Sequence, residues 1–101
     1  MDNRISDLNL EYLVRGFLTL HTPDECRSFL RDICTVSELN EMSRRLQAAR
    51  MLKEGYIYTE IAEQTGLSTA TISRVNRCLK YNENSGYDTV LTRLEKEGRR
   101  R

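Results

Sequence analysis

Three cations, Arg74, Arg77 and Lys80, recur at spacings of three, and the small residues Thr69, Ala70 and Ser73 precede them. Residues three or four apart share one face of a helix. On such a face cations meet phosphate oxygens, while small polar side chains near the helix start reach base edges. Thr59 lies a short way upstream, near the predicted start of another short helix. Helix N-termini favour anions, so its hydroxyl is placed to donate to a phosphate. The chemistry these residues suit is recognition of a polyanion rather than the making or breaking of bonds.

The elements that must hold this face occupy 58–77, YTEIAEQTGLSTATISRVNR. The segment predicts two short helices joined by a tight turn. Gly66 can adopt φ > 0 just past the first helix end. Ala62 is small where two helices cross closely. Ile61, Leu67, Ile72 and Val75 are spaced to point into the angle between them. Ser68 is a good N-cap for the second helix, and it borders the face that would meet DNA. The expectation is a helix-turn-helix whose second helix enters a major groove. A tight structural hairpin can imitate the same pattern.

Charge supports the first reading. Residues 1–43 hold four Arg against eight acids, and residues 44–101 hold twelve Lys and Arg against seven acids. The halves therefore carry −4 and +5, which sum to the net +1 of the chain. The positive half contains the suspected reader, as phosphate binding requires.

Other chemistries find little support. His21 is the sole histidine, and Cys26, Cys34 and Cys78 have no C-x-x-C spacing. A zinc site is therefore not expected. Cys26 and Cys34 fall on the apolar side of a predicted helix, which suggests buried thiols, with redox sensing as the alternative. No nucleophile–base spacing or Gly-rich phosphate loop suggests an enzyme. No apolar run approaches the ~20 residues of a membrane helix. The acidic, polar start MDNRISDLN does not resemble a signal peptide, so a cytoplasmic protein is expected.

At 101 residues the chain predicts one domain with a thin core. Six helices are expected. The first covers 9–20, with the apolar stripe Leu10, Leu13, Val14, Phe17 and Leu18. The second starts at the Thr22 cap with Pro23 at N1 and acids Asp24 and Glu25 following. Its stripe is Cys26, Phe29, Leu30, Ile33 and Cys34. The third opens with TVSE at 35–38, a capping-box spacing, and runs to about Glu54 before Gly55. Its predicted inner face is Leu39, Met42, Leu46, Ala49 and Leu52. The fourth and fifth are the reader helices, at 59–64 and 69–81. NENSG at 82–86 is a turn cluster. The sixth covers 87–97, with Tyr87, Val90, Leu91 and Leu94 inward, and a basic tail at 98–101 follows. This organises one structural domain as dimerisation helices (1–34), support helix plus reader (35–81), C-terminal helix (82–97) and tail (98–101). The wide apolar stripes of the first two helices exceed what the reader needs. They suggest a subunit interface.

From the third helix onward the chain resembles the Trp-repressor family. The match runs over 35–79 and rests on LKEG at 52–55, on Thr71-Ile72-Ser73-Arg74, and on Leu79-Lys80. Size and the two N-terminal helices look most like the short YerC/YecD type of Gram-positive bacteria. The resemblance implies an all-α, six-helix, intertwined homodimer that binds double-stranded DNA as a transcriptional regulator. In tryptophan-binding members two arginines hold the corepressor, and the matching positions here are Arg45 and Arg74. The family's glycine after the second arginine is Val75 here, and a serine three further on is Cys78. Val75 intrudes where an indole must lie, and Cys78 is a poorer partner for an amino group. Another amino acid, such as histidine, or no effector at all remains open. Arg45 has an alternative reading as a salt-bridged surface residue.

The leading expectation is a repressor of an amino-acid biosynthesis or related metabolic operon. The DNA-facing residues would be Thr59, Ser68, Thr69, Ala70, Ser73, Arg74, Arg77 and Lys80. The alternatives are a helical protein-interaction module and a reader of the replication or recombination kind.

Overall fold

The structure, a computed structural model, describes residues 7–81 and 84–99, with the side chain of Arg99 outside the description. Six helices and no strands are found among the described residues: α1 (Asp7–Leu18), α2 (Pro23–Ile33), α3 (Val36–Lys53), α4 (Tyr58–Thr65), α5 (Thr69–Lys80) and α6 (Gly86–Arg99). They fall into two compact units, Met1–Leu39 and Asn40–Arg101, and the boundary lies inside α3. No described helix is long and apolar enough to cross a membrane.

In the first unit local chemistry sets the helix ends. Thr22 Oγ1 accepts from the Glu25 N–H at 3.1 Å, with Pro23 next in the chain at the first helical position. The α3 start is a full capping box. Thr35 Oγ1 accepts from the Glu38 N–H at 3.0 Å, and Glu38 Oε1 accepts from the Thr35 N–H at 2.8 Å. Helix α1 starts and stops two residues earlier than its stripe predicts. The Thr19 N–H and hydroxyl both donate to the Gly16 carbonyl, at 3.2 and 2.7 Å, which closes the helix in a tight last turn.

Neither α1 nor α2 contains a buried residue. Phe17 and Phe29 meet edge to face, 5.1 Å between centroids. Leu10, Val14, Leu18 and Ile33 stay exposed. Cys26 and Cys34 are half-buried rather than buried, because two helices alone cannot enclose a side chain.

The second unit holds the core. Ala48, Ala49, Met51 and Leu52 of α3 meet Ile61 of α4, Leu67 of the turn, Ile72 and Val75 of α5, and Leu91 of α6. The adjacent alanines Ala48 and Ala49 are both fully buried. Gly55, at φ 94, ends α3 with the bonds Gly55 N–H to Leu52 carbonyl and Tyr56 N–H to Met51 carbonyl. This is the Schellman arrangement that glycine favours. Ser85 caps α6 by accepting from the Asp88 N–H at 3.3 Å. Lys53 Nζ then ties α6 to α3 through Asp88 Oδ1 (3.0 Å) and Thr92 Oγ1 (2.9 Å).

Three expected core positions differ. Met42, Val90 and Leu94 are each about half exposed. Spacing identified their apolar faces correctly, but no other part of the unit covers them. Helix α6 also runs on through Gly98 to Arg99, past the predicted end; the remainder of the basic tail, 100–101, lies outside the described residues, as do 82–83 of the predicted turn.

Candidate nucleic-acid interface

Helices α4 and α5 form the expected pair, and the turn between them is built by three consecutive residues. Thr65 is buried, and its hydroxyl donates to the Ile61 carbonyl at 2.7 Å while accepting from the Leu67 N–H at 3.2 Å. Gly66 sits in the left-handed region at φ 75, with its N–H on the Ala62 carbonyl. Leu67 is buried and anchors the turn in the core. Ser68 then caps α5, accepting from the Thr71 N–H at 3.1 Å and donating to the Thr71 hydroxyl at 3.0 Å.

This arrangement turns Ile72 and Val75 inward and sets most of the predicted contact residues outward. Thr59, Ser68, Thr69, Ala70, Arg74, Arg77 and Lys80 are exposed or half-exposed, and Ser73 is half-buried. Arg74, Arg77 and Lys80 form no ion pair among the described residues. Their charge therefore remains available to phosphate. The first turn of α5 contains no acid that would repel DNA.

The start of α4 is open as well. Its N-cap is Ile57, which has no side-chain acceptor, so among the described residues the side-chain bond there is the Ile57 N–H to Oε1 of Glu60, the acid of this turn, at 3.2 Å. Thr59 lies in this first turn, where free N–H groups add to the attraction for an anion.

Arg45 and Arg74 line one pocket of about 150 Å³, together with Thr71, Val75, Cys78 and Tyr87. Arg45 Nη2 is 3.2 Å from Glu41 Oε1, as the salt-bridge alternative anticipates. Tyr87 was legible only as an inward aromatic of α6, and its place in this pocket comes from the packing of α6, which spacing does not encode. Burial pushes its phenol pKa up, opposed by the Arg45 charge and reinforced by Cys78. It stays a neutral donor at pH 7.

Inside the pair, Asn76 Nδ2 of α5 donates to the Tyr58 hydroxyl of α4 at 3.1 Å. Sequence reasoning missed this link.

These features define a class: a chain whose described residues form only helices, two of which, α4 and α5, pair across a tight turn, with cations on the second that form no ion pair among the described residues. The chain belongs to the Trp repressor family, a family of DNA-binding transcription regulators, for the family model described as Trp repressor protein matches residues 8–95. It is 42% identical over 93 residues to the uncharacterized protein YerC of Bacillus subtilis, covering 92% of this chain and 88% of that one. A TrpR-like protein from Eubacterium eligens has a solved structure similar to this one, with TM-score 0.83 and 46% identity, over 93% of this chain and 96% of that one. A putative Trp repressor from Staphylococcus aureus is similar at TM-score 0.81 and 43% identity, over 89% of each chain.

Proposed function

We propose that this protein is a sequence-specific, homodimeric repressor of an amino-acid biosynthesis or related metabolic operon, acting in the cytoplasm. The observation that carries the reading is the outward face of α5: small residues Thr69, Ala70 and Ser73 at its start, then cations without acidic partners among the described residues. Helix α5 enters the major groove, Thr59 meets a phosphate at the start of α4, and Ser68 borders the same backbone. Arg77 and Lys80 supply salt-dependent affinity. The uncovered apolar stripe of α1 and α2 supports a second copy as partner. Two readers related by a two-fold axis would address half-sites about 34–36 Å apart.

The effector, in this proposal, is an amino acid smaller than tryptophan, with its carboxylate between Arg45 and Arg74. A pocket of about 150 Å³ walled by Val75 and Tyr87 supports a small ligand over an indole.

The test is selection of bound duplexes from a random pool, with and without the twenty amino acids, followed by Arg77→Ala. A two-fold symmetric site is expected. Arg77→Ala should weaken specific and non-specific DNA alike and flatten the salt slope by about 0.9 for each phosphate it no longer neutralises. A chain that selects no site under either condition would overturn the reading in favour of a protein-interaction module.

A further inference from the structure

We infer that Tyr58 and Asn76 form a positioning pair that sets the angle between α4 and α5 for base reading. The inference rests on the DNA-reading function proposed above and names residues that set its specificity.

The packing between the two helices is otherwise apolar. Ile61, Leu67, Ile72 and Val75 supply it. Apolar burial is non-directional, so it holds the helices together without selecting one angle sharply. A hydrogen bond is directional, and a partly buried one selects a single arrangement. The Asn76 Nδ2 to Tyr58 hydroxyl bond is such a bond, and it joins α4 to α5 directly. At the other end of α4 the turn is held by Thr65 and Gly66. A rigid angle needs a second point of attachment away from that turn. Tyr58 is the first residue of α4, at the end farthest from it.

The two residues are also placed to transmit an angle into recognition. Tyr58 precedes Thr59, the phosphate donor at the α4 start. Asn76 precedes Arg77 and lies three residues after Ser73 on α5. The pair therefore fixes how far the phosphate-binding end of α4 lies from the base-facing surface of α5. Asn76 Oδ1 is buried and has no hydrogen-bond partner among the described residues. The side chain thus gives up one acceptor to keep this one bond. That suits a residue chosen for geometry, since an apolar side chain would pack there without an orphaned atom.

The experiment is a double-mutant cycle with Tyr58→Phe and Asn76→Leu, read as affinity for the selected site, affinity for random duplex, salt slope and melting temperature. Each single variant should lose about three- to tenfold in affinity for the selected site, the range that one net hydrogen bond supplies. Random-duplex affinity and salt slope should not move, because every phosphate-binding cation is kept. The double variant should lose no more than the larger single loss. Asn76→Leu should melt within a few degrees of the parent, because the orphaned carbonyl goes with the bond. Unchanged site affinity in Tyr58→Phe, or additive losses in the double variant, would overturn the pair. Equal losses on site and random duplex would also overturn it, since they mark a general structural role. The parent protein in the same assay separates the two levels: if it selects no site, the regulator reading falls and takes the pair with it.

Discussion

Arg45 and Arg74 line the same pocket, but among the described residues only Arg45 is paired, its Nη2 lying 3.2 Å from Glu41 Oε1. Both members of that pair are about half exposed, so the bridge is worth at most about 1 kcal/mol in stability. Its effect on the local field is larger, since it cancels one of the two positive charges. The unpaired charge of Arg74 therefore dominates. Arg74→Ala should cost about tenfold or more in affinity for the selected DNA site, and Arg45→Ala less than about threefold. Fluorescence anisotropy at one fixed salt concentration checks this. Equal losses would mean that Glu41 releases Arg45 when DNA binds.

The Thr65 hydroxyl makes two hydrogen bonds in a buried position. Thr65→Val keeps the shape but leaves the Leu67 N–H without its acceptor. The expected cost is about 1–3 kcal/mol, with Thr65→Ser recovering most of it. Urea denaturation at constant m-value is the measurement. A neutral Thr65→Val would show that water satisfies the turn.

Gly66 isolates a different cost. A methyl group at its Cβ position would meet nothing within 4 Å, so substitution adds no clash. Its φ of 75 still opposes any side chain. Gly66→Ala should therefore destabilise by about 1–2 kcal/mol through the backbone alone. Gly66→Asn should cost less, because asparagine tolerates this region better. Comparable losses for the two would point to packing instead.

The contrast between these residues explains what the sequence could reveal. Caps and turns depend on neighbours in the chain, so Thr22, Thr35, Gly55, Gly66 and Ser68 were readable one by one. The inward set Ile61, Leu67, Ile72 and Val75 was readable because helical period identifies a face. Period does not say what covers that face, which is why Met42, Val90 and Leu94 were expected inside and are half exposed. Side-chain pairs between distant elements carry no local signal. Tyr58 with Asn76, Lys53 with Asp88, and Tyr87 in the arginine pocket became visible only in the fold. The outward face of α5 was legible in type and spacing, and its exposure followed from the helix pair.

Glu38 gives the protein a small acid sensitivity at the start of α3. The Thr35 backbone N–H, and then the Thr35 side chain, lower its carboxyl pKa below the ordinary 4.5. A lowered folded pKa means that the unfolded chain takes up the proton more readily. The stabilisation is therefore complete above about pH 4.5 and is lost as pH falls through the lower folded value. Glu38→Gln keeps an acceptor for the cap but cannot titrate. Its melting temperature relative to the parent should rise as pH drops through this window. A constant difference would mean that the box survives protonation.

Leu18 tests the proposed dimer most cleanly. It is 77% exposed within one chain, so in a monomer Leu18→Glu should change stability by no more than about 0.5 kcal/mol. Burial against a second copy changes that expectation. A charge forced into an apolar interface is costly unless it is paired. It would also face the acidic surroundings of the first 43 residues, where eight carboxylates outnumber four arginines. Sedimentation equilibrium at micromolar concentration should therefore show the parent as a dimer and Leu18→Glu shifted towards monomer. Stability should fall with the mass, because in the proposed dimer a domain this small would gain much of its apolar burial from the second copy. DNA affinity should fall further than stability, since a monomer reads only one half-site. A variant that stays dimeric at parental stability would place the interface elsewhere and leave the α1 stripe unexplained.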